Sequence, residues 1–177
     1  MSREIHIVGF RVGRETYGIP ITALHEIVRV PEITAVPDAP DYLEGVINLR
    51  GKIVSVVDLR KRFGQPSAGL DRRSRILVVE NRGRLAGMIV DSASEVLKIP
   101  ETDIEGAPAM MQEGGLDCVI GLGKYQGRLI ILLDISKVLT PRDPESEATE
   151  GKLAEETAAS GSTGSGRGTI KSASAGK

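Results

Sequence analysis

Apolar residues along the first 140 positions come in short runs closed by glycine or proline, and no run has the length of a long helix. Ile5 to Val12 predicts a strand. Ile5 and Ile7 fall on one face, and Val8, Phe10 and Val12 on the other, because side chains alternate along a strand. Gly13-Arg14-Glu15 predicts a hairpin turn, and Tyr17 to Ile21 a return strand with Pro20 at an edge or end. Thr22 to Arg29 predicts a short helix capped by Thr22, since Leu24, Ile27 and Val28 would share one helical face. Pro31, Pro37 and Pro40 mark a loop, with one extended piece at Ile33 to Val36. Leu43 to Leu49 predicts a strand, Arg50-Gly51-Lys52 its turn, and Ile53 to Val57 an apolar return strand. Asp58 then begins or caps a short helix through Phe63, with Leu59 and Phe63 packing back and Gly64 supplying a left-handed end.

The same pattern occurs twice. GVINLRGKIVSVVDLRKRFG (Gly45 to Gly64) returns as GLGKYQGRLIILLDISKVL (Gly121 to Leu139), with Gly45, Gly51, Ile53 and Asp58 matching Gly121, Gly127, Leu129 and Asp134. GIPITALHEIVRVP (Gly18 to Pro31) returns as GMIVDSASEVLKIP (Gly87 to Pro100). The second copy is longer between Pro100 and Leu116, where Gly106, Pro108, Gly114 and Gly115 predict a loop. An internal duplication sets the architecture. Each copy offers about five short strands, enough to curl into a small barrel with few free edges. Copies this small are marginal alone, so packing between them should supply part of the core. The expected fold is all-β: two small five-stranded barrels packed together, with short helices. One continuous sandwich is the alternative. The ordered part should span 4–140, with a first barrel near 4–64 and a second near 74–140, and an exchange of terminal elements between them is compatible with the pattern. Residues 141–177 are charged, then rich in Ser, Gly, Ala and Thr. Such a composition cannot offset its ordering entropy, so a flexible, disordered tail is expected.

Composition removes several function classes. The formal net charge is −1 and aromatic residues are 3% of the chain, which speaks against a broad nucleic-acid footprint or base-stacking platform. A local basic run, Arg60-Lys61-Arg62 with Arg72-Arg73-Arg75, remains; a nucleic-acid reading would need the arginines around residues 72 to 75 to form one stripe. The single cysteine, Cys118, excludes an internal disulfide and a cysteine-rich metal site, and its apolar surroundings predict a buried inert thiol. No apolar run is long enough for a membrane helix and MSREIHIV lacks a signal-peptide core, so a soluble cytoplasmic protein without direct membrane insertion is expected.

Candidate chemistry is sparse. His6 and His25 share no metal-ligand spacing, so no metal is expected. GLGKYQG lacks a third glycine and a following helix, and its glycines are repeated turn positions, so no phosphate loop or cofactor is expected. Asp58 and Asp134 occupy equivalent strand-to-helix positions and read as caps before they read as catalytic carboxylates. Asp91 and Glu95 read as surface acids on the second copy's short helix. Arg50 differs: the second copy keeps the turn glycine but has Gln126 beside it. An exposed turn arginine and a site used only by the first copy are both compatible with that asymmetry. A small enzyme with a polar groove between the barrels is a further alternative, although Ile, Leu and Val are expected there. Taken alone, these residues describe a non-enzymatic binding module.

YGIPITALHEIV, the P-x-Y-L-x-G-V-I-N-L-R-G series and IVSVVDLRKRFG, followed by LAGMIVDSASEVL and LIILLDISKVL, resemble the coupling proteins of bacterial chemotaxis, the CheW family, over residues 4 to 140. The resemblance implies two SH3-like five-stranded barrels with a hydrophobic groove between them. It implies an adaptor, not an enzyme, that joins the cytoplasmic tip of methyl-accepting chemoreceptors to the regulatory domain of the chemotaxis histidine kinase. A monomer in isolation, recruited to membrane-associated receptor arrays, is expected. An adaptor of a related non-flagellar signalling array is the variant reading. Carried over residue by residue, receptor-groove contacts fall at Ile21, Leu24, Glu26 and Ile76. Arg50 matches the arginine of the family's NLRG turn, implicated in receptor control of the kinase. A kinase-facing patch falls loosely at Val36, Ile47 and Val54, side chains equally suited to a core. Ser55 stands where the family commonly has proline.

Overall fold

A computed structural model of the protein describes residues 3–66, 69–113 and 117–139. The expected tail at 141–177 and the glycine pair Gly114-Gly115 lie outside the described residues. Eleven strands occur among those described: β1 (Glu4–Val12), β2 (Glu15–Pro20), β3 (Leu24–Arg29), β4 (Leu43–Leu49), β5 (Lys52–Asp58), β6 (Arg75–Asn81), β7 (Arg84–Val90), β8 (Ser92–Pro100), β9 (Ile104–Gly106), β10 (Val119–Tyr125) and β11 (Arg128–Leu133). Three short helices join them: α1 (Leu59–Arg62), α2 (Ala109–Glu113) and α3 (Ile135–Leu139). The fold is all-β, two SH3-like barrels packed together.

Sheet membership does not follow chain order. One sheet runs β3-β6-β7-β5-β4, and the other β8-β1-β2-β11-β10-β9. The opening hairpin β1–β2 therefore sits among strands of the second copy, and the second copy's opening hairpin β6–β7 among strands of the first. Two parallel pairings, β5 with β7 and β2 with β11, join the exchanged hairpins to their hosts. The other pairings are antiparallel.

This exchange makes three cores out of one repeated pattern. Val54, Val56, Ile76, Val78 and Ile89 fill the five-stranded barrel. Ile7, Leu97, Ile99, Ile130 and Leu132 fill the six-stranded one. Between them lies a third core with Val8, Phe10, Ile19, Val57 and Leu59 facing Leu77, Val79, Met88, Leu133 and Ile135. Strand alternation explains the sorting: Ile76 points into its barrel and Leu77 out of it, just as their repeats Ile7 and Val8 do. Tyr17 stacks on Phe10 and on Phe63, with ring centroids 6.0 and 4.9 Å away, and burial pushes its phenol pKa up. Cys118 is buried, and desolvation raises its thiol pKa, which matches an inert packing role.

Asp58 caps α1 by accepting the Arg60 N–H at 2.9 Å, and Asp134 caps α3 by accepting the Ser136 N–H at 2.9 Å. Gly64 ends the first of these helices with φ +68°. The helix expected at Thr22 to Arg29 is instead a 3-10 turn at Ile21–Ala23 followed by β3. A register shift between Leu24 and Glu26 puts Leu24 opposite Val79 and Val28 opposite Ile76. That bulge gives a strand the apolar spacing of a helix. Its repeat, where Asp91 and Glu95 were expected on a helix, is likewise strand β8, with Asp91 just ahead of it; the Glu95 side chain lies outside the described residues. The loop expected after Pro100 carries β9 and α2, and β9 pairs with β10 as Thr34 bridges Val46 in the first copy.

One polar cluster ties the exchanged hairpin to the other barrel. Arg60, almost fully buried, sends a two-pronged contact to Asp58 at 3.2 and 3.1 Å. Its Nη1 lies 3.5 Å from Asp91, whose other oxygen accepts the Gly13 N–H of the β1–β2 turn at 2.6 Å. Burial opposes the charge on Arg60, but the Asp58 hydrogen bond and the charges of Asp58, Asp91 and Glu44 outweigh it and raise the guanidinium pKa.

Two substitutions test this packing. A Cβ on Gly87 would lie 2.8 Å from Ile76 Cγ2 and 3.3 Å from Val56 Cγ2, and one on Gly18 meets the repeat-related Ile7 and Leu132. Gly87→Ala is expected to lower stability by about 1–3 kcal/mol in urea unfolding, from overpacking; an unchanged midpoint contradicts the close approach. Arg60→Met is expected to cost about 3–5 kcal/mol by leaving Asp58 charged, buried and unpaired, and a loss below about 1 kcal/mol contradicts the cluster's structural role.

Candidate partner-binding site

Three hairpins turn through a residue and a glycine both at positive φ: Arg50-Gly51, Arg82-Gly83 and Gln126-Gly127. Paired left-handed residues fit the right-handed twist of the strands they join. Asn48 Oδ1 accepts the Gly51 N–H at 2.8 Å and fixes the first of these turns. Arg50, at φ 51°, is a long side chain in a conformation that L residues enter at a cost. Asparagine would adopt it more readily, so local turn preference does not explain the arginine.

The turn aims Arg50 back across the open side of the five-stranded sheet. Its Nη2 lies 2.9 Å from Glu26 Oε2, and the side chains are 78% and 19% exposed. β3 and β4 are the two edges of this sheet, so the ion pair closes the barrel between them. The bulge before Glu26 turns its side chain to the barrel-interior face shared with Val28. There Glu26 Oε1 is buried and has no hydrogen-bond partner among the described residues. Arg50 is thus a mostly hydrated cation over the mouth of an apolar barrel, holding a half-buried carboxylate.

Glu26 and Arg50 are the two expected site residues that the fold brings into contact. Ile21 is exposed and lines a separate cavity of about 470 Å3 with Ile5, His6 and Pro20. Leu24 is half-buried and packs against the core between the barrels. Ile76 has no exposed surface: it points into the five-stranded barrel, so a groove contact through its side chain does not fit this conformation. Ile47 and Val54 are core in the same barrel, whereas Val36 is exposed. β4 and β5 each alternate faces, and the expected patch took the inward-facing positions.

The outward-facing position was missed. Ile53, cross-strand partner of Asn48, is 78% exposed, and its repeat Leu129 is 48% exposed. A large apolar residue kept at the same outward position beside both turns is a surface feature, and alternation counted from Val54 places it outside. The arginines at 72–75 do not make one stripe: Arg72 and Arg75 line one cavity, and Arg73 another. Among the described residues no group of three His, Cys, Asp or Glu side chains is placed to hold a metal.

The CheW-like domain family matches residues 6–142. The chain belongs to the CheW family. CheW of Helicobacter pylori is 34% identical over 135 residues, covering 76% of this chain and 81% of that protein. CheW of Bacillus subtilis is 33% identical over 140 residues, covering 79% and 90%. The crystal structure of a scaffolding protein, the CheW of Thermoanaerobacter tengcongensis, superposes with a TM-score of 0.71 at 40% identity, over 78% of this chain and 92% of that one. As a CheW protein the chain is a non-catalytic adaptor.

The Arg50 geometry separates turn preference from charge. Arg50→Asn keeps a residue that accepts positive φ and loses an exposed ion pair, so unfolding stability is expected to change by no more than about 1 kcal/mol. Arg50→Val places a β-branched residue there and is expected to cost about 1–3 kcal/mol. Equal losses in the two variants contradict the turn assignment.

Proposed function

We propose that this protein bridges the cytoplasmic tips of chemoreceptors to the regulatory domain of the chemotaxis histidine kinase and keeps that kinase under receptor control. It acts from the cytoplasm as a monomer recruited to receptor arrays at the membrane. Family membership supports the adaptor role, and one local observation carries the control reading: Arg50 occupies a turn that disfavours it and sits, largely hydrated, over Glu26 at the barrel mouth. A scaffold needing only the turn has no use for that side chain. Arginine offers a fork of donors to carboxylates or carbonyl oxygens of a partner while one nitrogen keeps the internal contact.

The receptor side of the proposal uses Ile21 and Leu24 together with the Glu26–Arg50 pair. Ile76 supports that surface from beneath, by packing on Val28 inside the barrel. The kinase side uses Val36 and the outward-facing Ile53, with Ile47 and Val54 as the rigid layer behind them. Exposed apolar residues beside a satisfied polar turn are suited to a partner interface of modest size. Two barrels with repeat-related apolar ends, Ile53 and Leu129, allow two partners to be held at once.

In reconstituted arrays of receptor, kinase and adaptor, Arg50→Asn is expected to leave kinase recruitment near the wild-type level while the ligand-induced change in kinase activity falls about tenfold or more. Wild-type kinase control in this variant overturns the role given to Arg50.

A further inference from the structure

The entry into β6, residues 72–75, carries three arginines in four residues, and the fold gives them two different surroundings. On one side Arg73 is paired with Asp71, and Arg60 with Asp58 and Asp91. On the other side lies a cavity of about 610 Å3 lined by Arg29, Arg72 and Arg75. Among the described residues none of these three arginines has an ion pair. The one acid in the lining, Asp71, is already committed. Its carboxylate accepts the N–H groups of Arg73 and Ser74 at 2.7 and 3.1 Å and pairs with the Arg73 side chain. Those bonds, led by the Arg73 N–H, lower its pKa, so it stays ionised and turned to its own loop.

Two of the arginines are held close together at a cost. Arg29 and Arg75 are direct cross-strand partners on β3 and β6, where like charges destabilise a sheet. Arg75 is half-buried and anchored through Nη1 to the carbonyl oxygens of Arg72 and Ser74 at 2.7 and 2.8 Å. Among the described residues its remaining donors make no hydrogen bond, so one arm of the cavity is preorganised with donors to spare. Val30 and Leu70 add an apolar wall. A cavity of this size is in the range of small-molecule sites.

We propose that this cavity binds a phosphate-bearing anion. The phosphate oxygens take the three guanidinium groups, which suit a multiply charged tetrahedral group better than a single carboxylate, and the attached organic part lies on Val30 and Leu70. The bound anion also neutralises the Arg29–Arg75 repulsion, so binding and stability are linked. Both a soluble organic phosphate and a phospholipid headgroup have this chemistry.

The test uses the full chain at constant ionic strength. Titration with ADP, with inorganic pyrophosphate as the bare-charge probe, is followed by amide NMR shifts, and co-sedimentation with phosphatidylglycerol vesicles forms the second arm. Saturable shifts confined to the amides of Arg29, Val30 and residues 70–75 are expected, with affinity weakened about tenfold by Arg29→Gln or by Arg72→Gln and unchanged by Arg128→Gln. Vesicle binding with the same variant pattern, without ADP binding, supports the site and assigns the phosphate to a lipid. Arg29→Gln removes one of two facing cations, so it is expected to keep or raise the melting temperature while weakening binding; a merely structural arginine would lower it. Shifts that do not saturate and spread over all exposed arginines, or binding indifferent to Arg29 and Arg72 in both arms, overturn the proposal.

Discussion

The structure depends on one constraint: neither barrel can be completed by its own half of the chain. The β1–β2 hairpin pairs with β8 and β11, and β6–β7 pairs with β3 and β5. Each barrel interior therefore needs side chains from both copies, as Ile7 with Leu97 and Ile76 with Val54 show. The third core, between the barrels, is lined by the outward faces of those same exchanged hairpins. Sixty-residue barrels that would be marginal alone become parts of one cooperative fold. The Asp58–Arg60–Asp91 cluster stands where this exchange is made, fastening the β1–β2 turn to the end of β5.

Much of this was legible in the residues. The duplication showed which positions are equivalent, and strand alternation showed which of them face inward. Two physical effects hid the rest. A bulge after Leu24 reproduces helical spacing within a strand, so a local pattern could not distinguish β3 from a helix. Ile53 recurs as Leu129, but a duplicated chain repeats its outward-facing residues as well as its core, so recurrence alone does not separate the two. The candidate site was legible to the extent that Arg50 broke the repeat. Its partner Glu26 was named through family resemblance, and the contact between them needs the barrel to close, which no local signal specifies. Ile76, Ile47 and Val54 lie on the inward side of their strands, which for Ile47 and Val54 is the core alternative that their sequence allowed.

An interleaved core leaves function to the edges. Barrel interiors are filled mainly by aliphatic side chains and the core between them adds Phe10 and Tyr17, which suits a rigid support; among the described residues no group of three His, Cys, Asp or Glu side chains is placed to hold a metal. The binding surfaces proposed for this adaptor are accordingly placed at hairpin turns and outward-facing strand positions. Around Arg50 a charge is held over a half-buried carboxylate; around Ile53 and Leu129 apolar groups stand in water. Rigidity beneath and unsatisfied surface above are what an adaptor requires, because its output is the geometry it imposes on the proteins it joins.

Bridging is the central claim, and simultaneous occupancy tests it most directly. The purified chain is mixed with a receptor cytoplasmic-tip fragment and the kinase regulatory domain, and the assemblies are resolved by sedimentation velocity. A ternary species containing all three proteins, with each partner's affinity undiminished by the other, is the predicted result. Competition between the two partners for the chain, or binding of only one of them, contradicts it.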